Sequence, residues 1–451
     1  MDKPAYLGGT PSIERQAHRL WPLIGDEEKR AVMRVLDRGI VQGWQAPETR
    51  AFEEEFAAFV QCKRALMTHC GTSALQLAVA AAGVGEGDEV IVPAYSFVAT
   101  PMCVALQGAT PVFVDVDAET GHIDTALARA AITSRTKAIM PVHIHGEAAD
   151  LTALLGLCKE KKLALIEDAA QAHGAEHEGK RVGAIGAAGG FSLQGSKNLT
   201  AGEGGFFVTN DEGAAELANR VRNFSLDVSL DDPWDASRPL DGVSRPRHPA
   251  SGGSGDRAVQ SQAMGSMYRG NEMAAAFGRA QLARLPGLTL AAQKNGRRLA
   301  QKLAELPGVL PPRELPGRTT VFHKFRVRFD PKAAGLDVTP RVLRDAMRAA
   351  LVADGLEVVF WQGSPLPAHP VFQKRAEYMF RGLPGGTDLA KNYEPAQYTR
   401  TSALLESSIV LFSQSCPLIG QTEATVDRYA EAFARAWHHR RAIVDAFARH
   451  D

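Results

Sequence analysis

The chain carries no surplus charge of either sign: its 51 Lys and Arg equal its 51 Asp and Glu, for a formal net charge of zero. That balance removes the long-range field on which a general binder of nucleic acid or anionic membrane relies, though it leaves room for a local basic patch. Aromatic residues are sparse at 7% and cysteines number five. Cys62, Cys70, Cys103, Cys158 and Cys416 are dispersed, odd in number and form no CxxC pair. Such a set fits reduced thiols in a cytosol better than a disulfide framework or a zinc site. No apolar run approaches the roughly 18 residues that suggest a membrane span; the softest stretch, Ala74 to Val84, fits a buried helix. The start, Met1-Asp2-Lys3-Pro4, lacks the basic and apolar regions of a signal peptide. The expectation is a cytoplasmic protein with no nucleic-acid partner, no membrane partner and no metal centre.

What is present is ordinary globular composition, 45% hydrophobic and 23% charged over 451 residues, enough for two or three domains. Helical patterns run over Asp26–Arg38, with Asp26 as N-cap and Gly39 as stop, and over Glu48–Val60 and Thr72–Gly83. Short apolar runs with the length of buried strands follow at Glu89–Pro93, Pro111–Asp115, Ala138–Val142 and Leu163–Glu167. Helical patterns at Ala99–Leu106, Asp124–Ala131 and Asp150–Lys161 separate them. This alternation predicts an α/β fold with a parallel sheet covered by helices, extended by strands near Gly190–Leu193 and Gly205–Thr209. Ser225–Gly265, rich in Ser, Pro, Gly, Asp and Arg, reads as a long insertion. Helices resume at Glu272–Leu285 and Leu288–Leu306. The tail mixes strands at Thr320–Phe329 and Leu356–Trp361 with helices at Pro340–Asp354 and Glu423–Arg449. The division expected is a large domain over 1–285, with the insertion at 225–265, and a smaller C-terminal α+β domain over 286–451.

Four stretches carry chemistry. In Leu163–Ala175, Asp168 falls at the carboxyl end of a buried strand, the edge where open parallel sheets bind ligands. A carboxylate there needs a partner; a pyridinium nitrogen is one, and a capping role in the next turn is the plainer alternative. In Gly189–Gly205, Lys197 lies between two strands among Gly, Ser and Asn, with Ser192 at a strand end. A lysine whose ammonium is destabilised by burial becomes a Schiff-base nucleophile; a polar hairpin loop is the other reading. Gly71-Thr72-Ser73 opens a helix, whose free N–H groups suit a phosphate or serve as an ordinary N-cap. Phe97, just past a strand in Pro93–Thr100, can stack on a planar group or join the core. His143, His145 and Glu147 near a strand end suggest hydrogen-bonded core groups rather than a metal site. Gly83-Val84-Gly85-Glu86-Gly87 precedes a strand, whereas a dinucleotide fingerprint follows one, so it reads as a turn.

In this order the stretches GTSAL, PAYSFVAT, VFVDVD, PVHIHG, IEDAAQAHGA and SKNLTAGEGG resemble the DegT-type pyridoxal-phosphate (PLP) aminotransferases, the sugar aminotransferase family, from about Leu7 to the last helix. The resemblance implies a fold-type-I architecture with a mostly parallel seven-stranded sheet, a small C-terminal domain and a homodimer with active sites at the subunit interface. It implies that Lys197 holds PLP as a Schiff base and shuttles the proton, and that Asp168 pairs with the pyridine nitrogen. Gln171 would lie by the phenolic oxygen, Phe97 would stack on the ring, and Gly71, Thr72, Ser73 and Ser192 would hold the phosphate. Many members have a G-x-N-x-R stretch that reaches the partner's cofactor phosphate. Here Gly265-Ser266-Met267-Tyr268-Arg269 keeps Arg269 as partner-subunit candidate but has Met267 where Asn is common. The implied reaction is ping-pong transfer of an amino group from glutamate or glutamine to a keto group of a sugar, nucleotide-sugar or cyclitol. Dehydration or aromatisation on the same cofactor, or a non-catalytic PLP-binding regulatory role, are the alternatives.

Overall fold

The computed structural model describes residues 1–43, 46–226, 230, 261–373, 393–412 and 414–449; most of the insertion read at Ser225–Gly265 lies outside the described residues. The strands are β1 (Arg64–Thr68), β2 (Glu89–Pro93), β3 (Thr110–Val114), β4 (Thr136–Ile139), β5 (Ala164–Asp168), β6 (Glu176–His177), β7 (Lys180–Arg181), β8 (Ala188–Ser192) and β9 (Gly205–Thr209), then β10 (Val309–Leu310), β11 (Phe325–Phe329), β12 (Val358–Val359) and β13 (Ser408–Leu411).

The seven-stranded sheet has the order β1-β9-β8-β5-β4-β2-β3. Pairing is parallel from β3 through β8, while β9 runs antiparallel to both β8 and β1. The fold is therefore the expected α/β one of fold type I, with a mostly parallel sheet and a smaller C-terminal unit. Strands buried on both faces need apolar side chains throughout, which is why β2, β3, β8 and β9 are buried along their whole length. The helix Gly71–Ala81 presses on β8 closely enough that a Cβ at Gly190 would stand 2.8 Å from Leu75, so the strand carries glycine there.

The second sheet, β10-β11-β13-β12, is antiparallel. On β11, Phe325, Val327 and Phe329 enter the C-terminal core while Arg326 and Arg328 take the other face, as a period of two requires. The first residues of the chain join that core: Ile13 belongs to it, and Ala5 N and Ile13 N bond Asp354 at 2.8 and 3.1 Å.

Three local expectations differ from what is observed. Asp26 is not the N-cap of the first long helix; Gly25 is, and Glu28 accepts its N–H at 2.6 Å. The stretches Glu272–Leu285 and Leu288–Leu306 form one 33-residue helix, Glu272–Ala304, with Pro286 inside it and across the 285/286 position. Proline removes one helical hydrogen bond, but Leu282 and Leu285 pack in the large core and Leu299 and Leu303 in the small one. Burial at both ends thus holds the helix through the proline. The last helix instead breaks at His439 into Glu423–His438 and Arg440–Phe447.

Candidate active site

Every parallel strand ends on the same edge of the sheet, and the chemistry collects there. β5 delivers Asp168 as its last residue, 4% exposed. Its Oδ2 accepts from Thr100 Oγ1 at 2.7 Å and its Oδ1 from Ala170 N at 3.2 Å. Burial raises its pKa above the ordinary carboxylate value, against the pull of those hydrogen bonds and of Lys197. Two neutral donors and the Lys197 ammonium do not offset that burial, so the site favours a further cationic partner. Thr100, in the first turn of the helix Ala99–Leu106, is itself tied to Ser96 Oγ at 2.6 Å.

Alternation along β5 sends Glu167 to the opposite face. There Glu167 accepts from Gly183 N and Gly186 N, both at 2.7 Å, and meets His143 Nε2 at 3.0 Å. Ala149 N donates to His143 Nδ1 at 3.0 Å. The proton of a neutral imidazole therefore sits on Nε2, facing Glu167. This buried pair fixes the strand end that carries Asp168, and gives His143 the hydrogen-bonded role expected for it. His145, at φ 58°, bonds Tyr95 Oη at 2.8 Å, and its own N–H donates to Gln171 Oε1 at 2.8 Å. Gln171 is thereby oriented at the same edge.

Lys197 occupies the loop between β8 and β9, as expected. The loop is held by its backbone: Lys197 N donates to Gln194 O at 2.9 Å and Lys197 O accepts from Trp21 Nε1 at 3.0 Å. Next to it Asn198 reaches Val321 O at 2.9 Å and His323 Nδ1 at 3.2 Å, tying the loop to the segment that enters β11. Burial pushes the Lys197 ammonium down to about 8, opposed by the nearby Asp168 carboxylate. About a tenth is thus neutral amine at pH 7, far more than for an ordinary lysine, and this is the form that attacks a carbonyl.

A third group of residues forms a cradle. Cys70 caps the helix Gly71–Ala81, accepting from Ser73 N at 3.5 Å. A Cβ on Gly71 would fall 2.6 Å from Ser192 Cβ, so only glycine lets the helix start approach the end of β8. Gly71, Thr72 and Ser192 come together there. The Ser73 hydroxyl turns back to donate to Cys70 O at 2.8 Å, which leaves Ser73 inside the cap. Phe97, past the end of β2, is 59% exposed. Arg269 bridges to Thr68, at the end of β1 on the sheet edge, and its neighbour Tyr268 bonds Gln76 Oε1 at 2.7 Å.

These observations test the fit of PLP. A buried carboxylate short of positive charge, a lysine with depressed pKa across from it and a helix N-terminus that a Cβ would block match its ring nitrogen, aldehyde and phosphate. Thr100 closes the PAYSFVAT stretch, and nothing local in the sequence gives it a role. Lys324 likewise has no role from sequence, and the contacts of Tyr95 and Trp361 are not legible there. Trp361 packs edge-on against Tyr95 and His145 with centroids 5.1 and 4.9 Å away, a contact across 266 residues that no local pattern reports. Among the described residues no helix is long and apolar enough to cross a membrane.

Residues 22–393 match the model of the DegT/DnrJ/EryC1/StrS aminotransferase family. The chain is 34% identical over 388 residues to the spore coat polysaccharide biosynthesis protein SpsC of Bacillus subtilis, covering 85% of this chain and 90% of that protein. It is 37% identical to the L-glutamine:scyllo-inosose aminotransferase of Streptomyces griseus, over 73% of this chain and 74% of that one. The structure of Streptomyces venezuelae DesV in complex with a ketimine intermediate superposes with a TM-score of 0.74 at 30% identity, covering 91% of this chain and 94% of DesV.

Proposed function

The chain belongs to the DegT/DnrJ/EryC1/StrS aminotransferase family and is an aminotransferase; from that premise we propose that it is a PLP-dependent cytoplasmic homodimer that moves the amino group of glutamate or glutamine to a keto group of a sugar, nucleotide-sugar or cyclitol. The observation that carries the cofactor is the buried Asp168 carboxylate facing a lysine with a depressed pKa. The acceptor class is supported by relatives whose names specify spore-coat polysaccharide and scyllo-inosose. Five free cysteines support a reducing compartment. A dimer is supported by the exposed Met267, 55%, two residues before Arg269 at the end of β1.

When bound, the cofactor supplies an aldehyde for covalent capture of the amino group and an electron-poor ring as electron sink. Asp168 would hold the ring nitrogen in its protonated form by charge pairing, with Thr100 keeping the carboxylate aimed. Gly71 and Thr72 amides with the Ser192 hydroxyl would take the phosphate, Phe97 one ring face and Gln171 the phenolic side. Lys197, as a neutral amine, would take the proton from the donor's Cα and return it to the carbon that the cofactor's aldehyde contributes, on the other side of the nitrogen. Holding both partners in one pocket provides much of the remaining acceleration.

The decisive experiment is an absorbance spectrum of PLP-loaded protein before and after L-glutamate or L-glutamine. Conversion of the long-wavelength band to the pyridoxamine form is expected; a band that persists with both would refute the transamination reading. Two further outcomes follow from the site. The rate at which cofactor-free protein captures PLP should rise about tenfold per pH unit below 8 and level off above it, because only neutral Lys197 attacks. A pH-independent capture rate between 6 and 9 would contradict this. Gly71→Ala should weaken PLP retention by about 1–3 kcal/mol, the cost of forcing the new methyl against Ser192. Equilibrium dialysis of PLP measures it, and wild-type affinity would show that the cradle lies elsewhere.

A further inference from the structure

The cleft between the two sheets holds buried cations that the chemistry above leaves unused. Lys324, immediately before β11, is 5% exposed, and its Nζ has no hydrogen-bond partner among the described residues. Two residues on, Arg326 buries Nε and Nη1 with no hydrogen-bond partner among the described residues, while its Nη2 donates to the Glu119 carbonyl at 2.8 Å. Both side chains line one cavity of about 570 Å³. Removing a cation from water without a counter-charge costs several kcal/mol, and two in one cavity also repel each other. They persist together where an anion completes them.

The carboxylates of the cavity do not serve. Glu119 is ion-paired with Arg313. Glu147 keeps a buried Oε1 with no partner, and burial pushes its carboxyl up to about 7, against the pull of Arg318 and Arg326. Among the described residues no carboxylate completes the two cations, which leaves the place to an external anion. His145, which also lines this cavity, connects it to the site. Lys324 N donates to His145 O at 3.2 Å, and the His145 N–H in turn holds Gln171. Burial first, and then the Lys197 ammonium, depresses Lys324 to about 8, which places the two lysines within electrostatic range.

An amino donor brings an anion to this place by its chemistry, since its α-carboxylate is one bond from the carbon that gives up the proton. Lys324, whose backbone bonds His145, stands nearer the site for that group. Arg326 follows two positions along the chain; same-face neighbours on a strand are about 7 Å apart. The carboxyl carbons of an extended five-carbon dicarboxylate are roughly 5 Å apart, from four C–C bonds of about 1.5 Å, a gap that two long side chains close. A guanidinium with donors unmatched favours a distal carboxylate, whose charge strengthens each hydrogen bond, over a neutral carboxamide.

We infer that Lys324 and Arg326 form a carboxylate subsite that takes both ends of a dicarboxylic amino donor, so that this enzyme uses glutamate in preference to glutamine; the inference rests on the aminotransferase reading of the same site. Isothermal titration of the PLP-loaded protein with glutarate, which has both carboxylates and no amino group, tests it without turnover. Glutarate should bind, and its half-amide should bind at least about tenfold more weakly, the scale of one charge-assisted hydrogen bond. Lys324→Met and Arg326→Gln should each weaken glutarate by a similar factor, with unfolding midpoints confirming that both variants are folded. Equal affinity for glutarate and its half-amide, or glutarate binding indifferent to both substitutions, overturns the assignment. So does inorganic pyrophosphate that displaces glutarate and binds tighter, because the cations would then belong to a phosphorylated acceptor. Failure of glutamate and glutamine to change the spectrum while glutarate still binds would refute the transamination reading and leave the subsite standing.

Discussion

Lys197→Ala yields a protein that binds PLP without the long-wavelength band of the covalently held cofactor, and turns over roughly 10⁴-fold more slowly, the upper end of what a positioned acid–base group contributes. The substitution removes both the amine that captures the aldehyde and the base that moves the proton. It should leave the loop in place, because what holds that loop is the Lys197 backbone on Gln194 and Trp21 and the Asn198 side chain on Val321. An absorbance titration with PLP, beside a thermal melt that reports folding, reads the result. An unchanged band in the alanine variant would move the reactive amine to another residue, with buried Lys324 the first to examine.

The second large effect is expected at Asp168→Asn. The amide has the same shape, so PLP should still bind, while the donor half-reaction slows about 10²–10³-fold through loss of charge stabilisation at the ring nitrogen. A local structural cost comes with it. Thr100 Oγ1 and Ala170 N each donate to a separate oxygen of the carboxylate, and asparagine offers only one. One donor is left facing an NH₂ group, a loss of about 1–3 kcal/mol in a buried site. Stopped-flow absorbance with saturating L-glutamate separates the two effects, since the stability loss appears in the melting midpoint and the electrostatic loss in the rate. A half-reaction at the wild-type rate would show that Asp168 is not the partner of the ring.

Much of the sheet was legible because its strands are buried on both faces and short. Glu89–Pro93 and Gly205–Thr209 were read with the bounds observed, and the other main-sheet strands that were read lie within a few residues of theirs. β1 was missed: Arg64-Ala65-Leu66-Met67-Thr68 has little β-branched content, and its strand state comes from pairing with β9, more than 130 residues away. Pro286 misled for the same kind of reason. Local chemistry argues for a break there, and burial of the helix in two separate cores overrides it.

At the site, the sequence alone determined the residue types and their order: a strand-end Asp168, a lysine in a Gly- and Ser-rich loop, and a glycine opening a helix. These are local signals, because strand ends, turns and caps are written in neighbouring residues. Only the tertiary structure decided what each one meets. Thr100 became the hydrogen-bond donor to Asp168, and Gly71 became the close neighbour of Ser192. The hydroxyl of Ser73 was turned into the helix cap, and Lys324 and Arg326 were left together in one cavity with donors unmatched. Those partnerships join residues far apart in the chain. Their energetics depend on burial and on which charges face one another, and neither quantity exists until the sheets are packed.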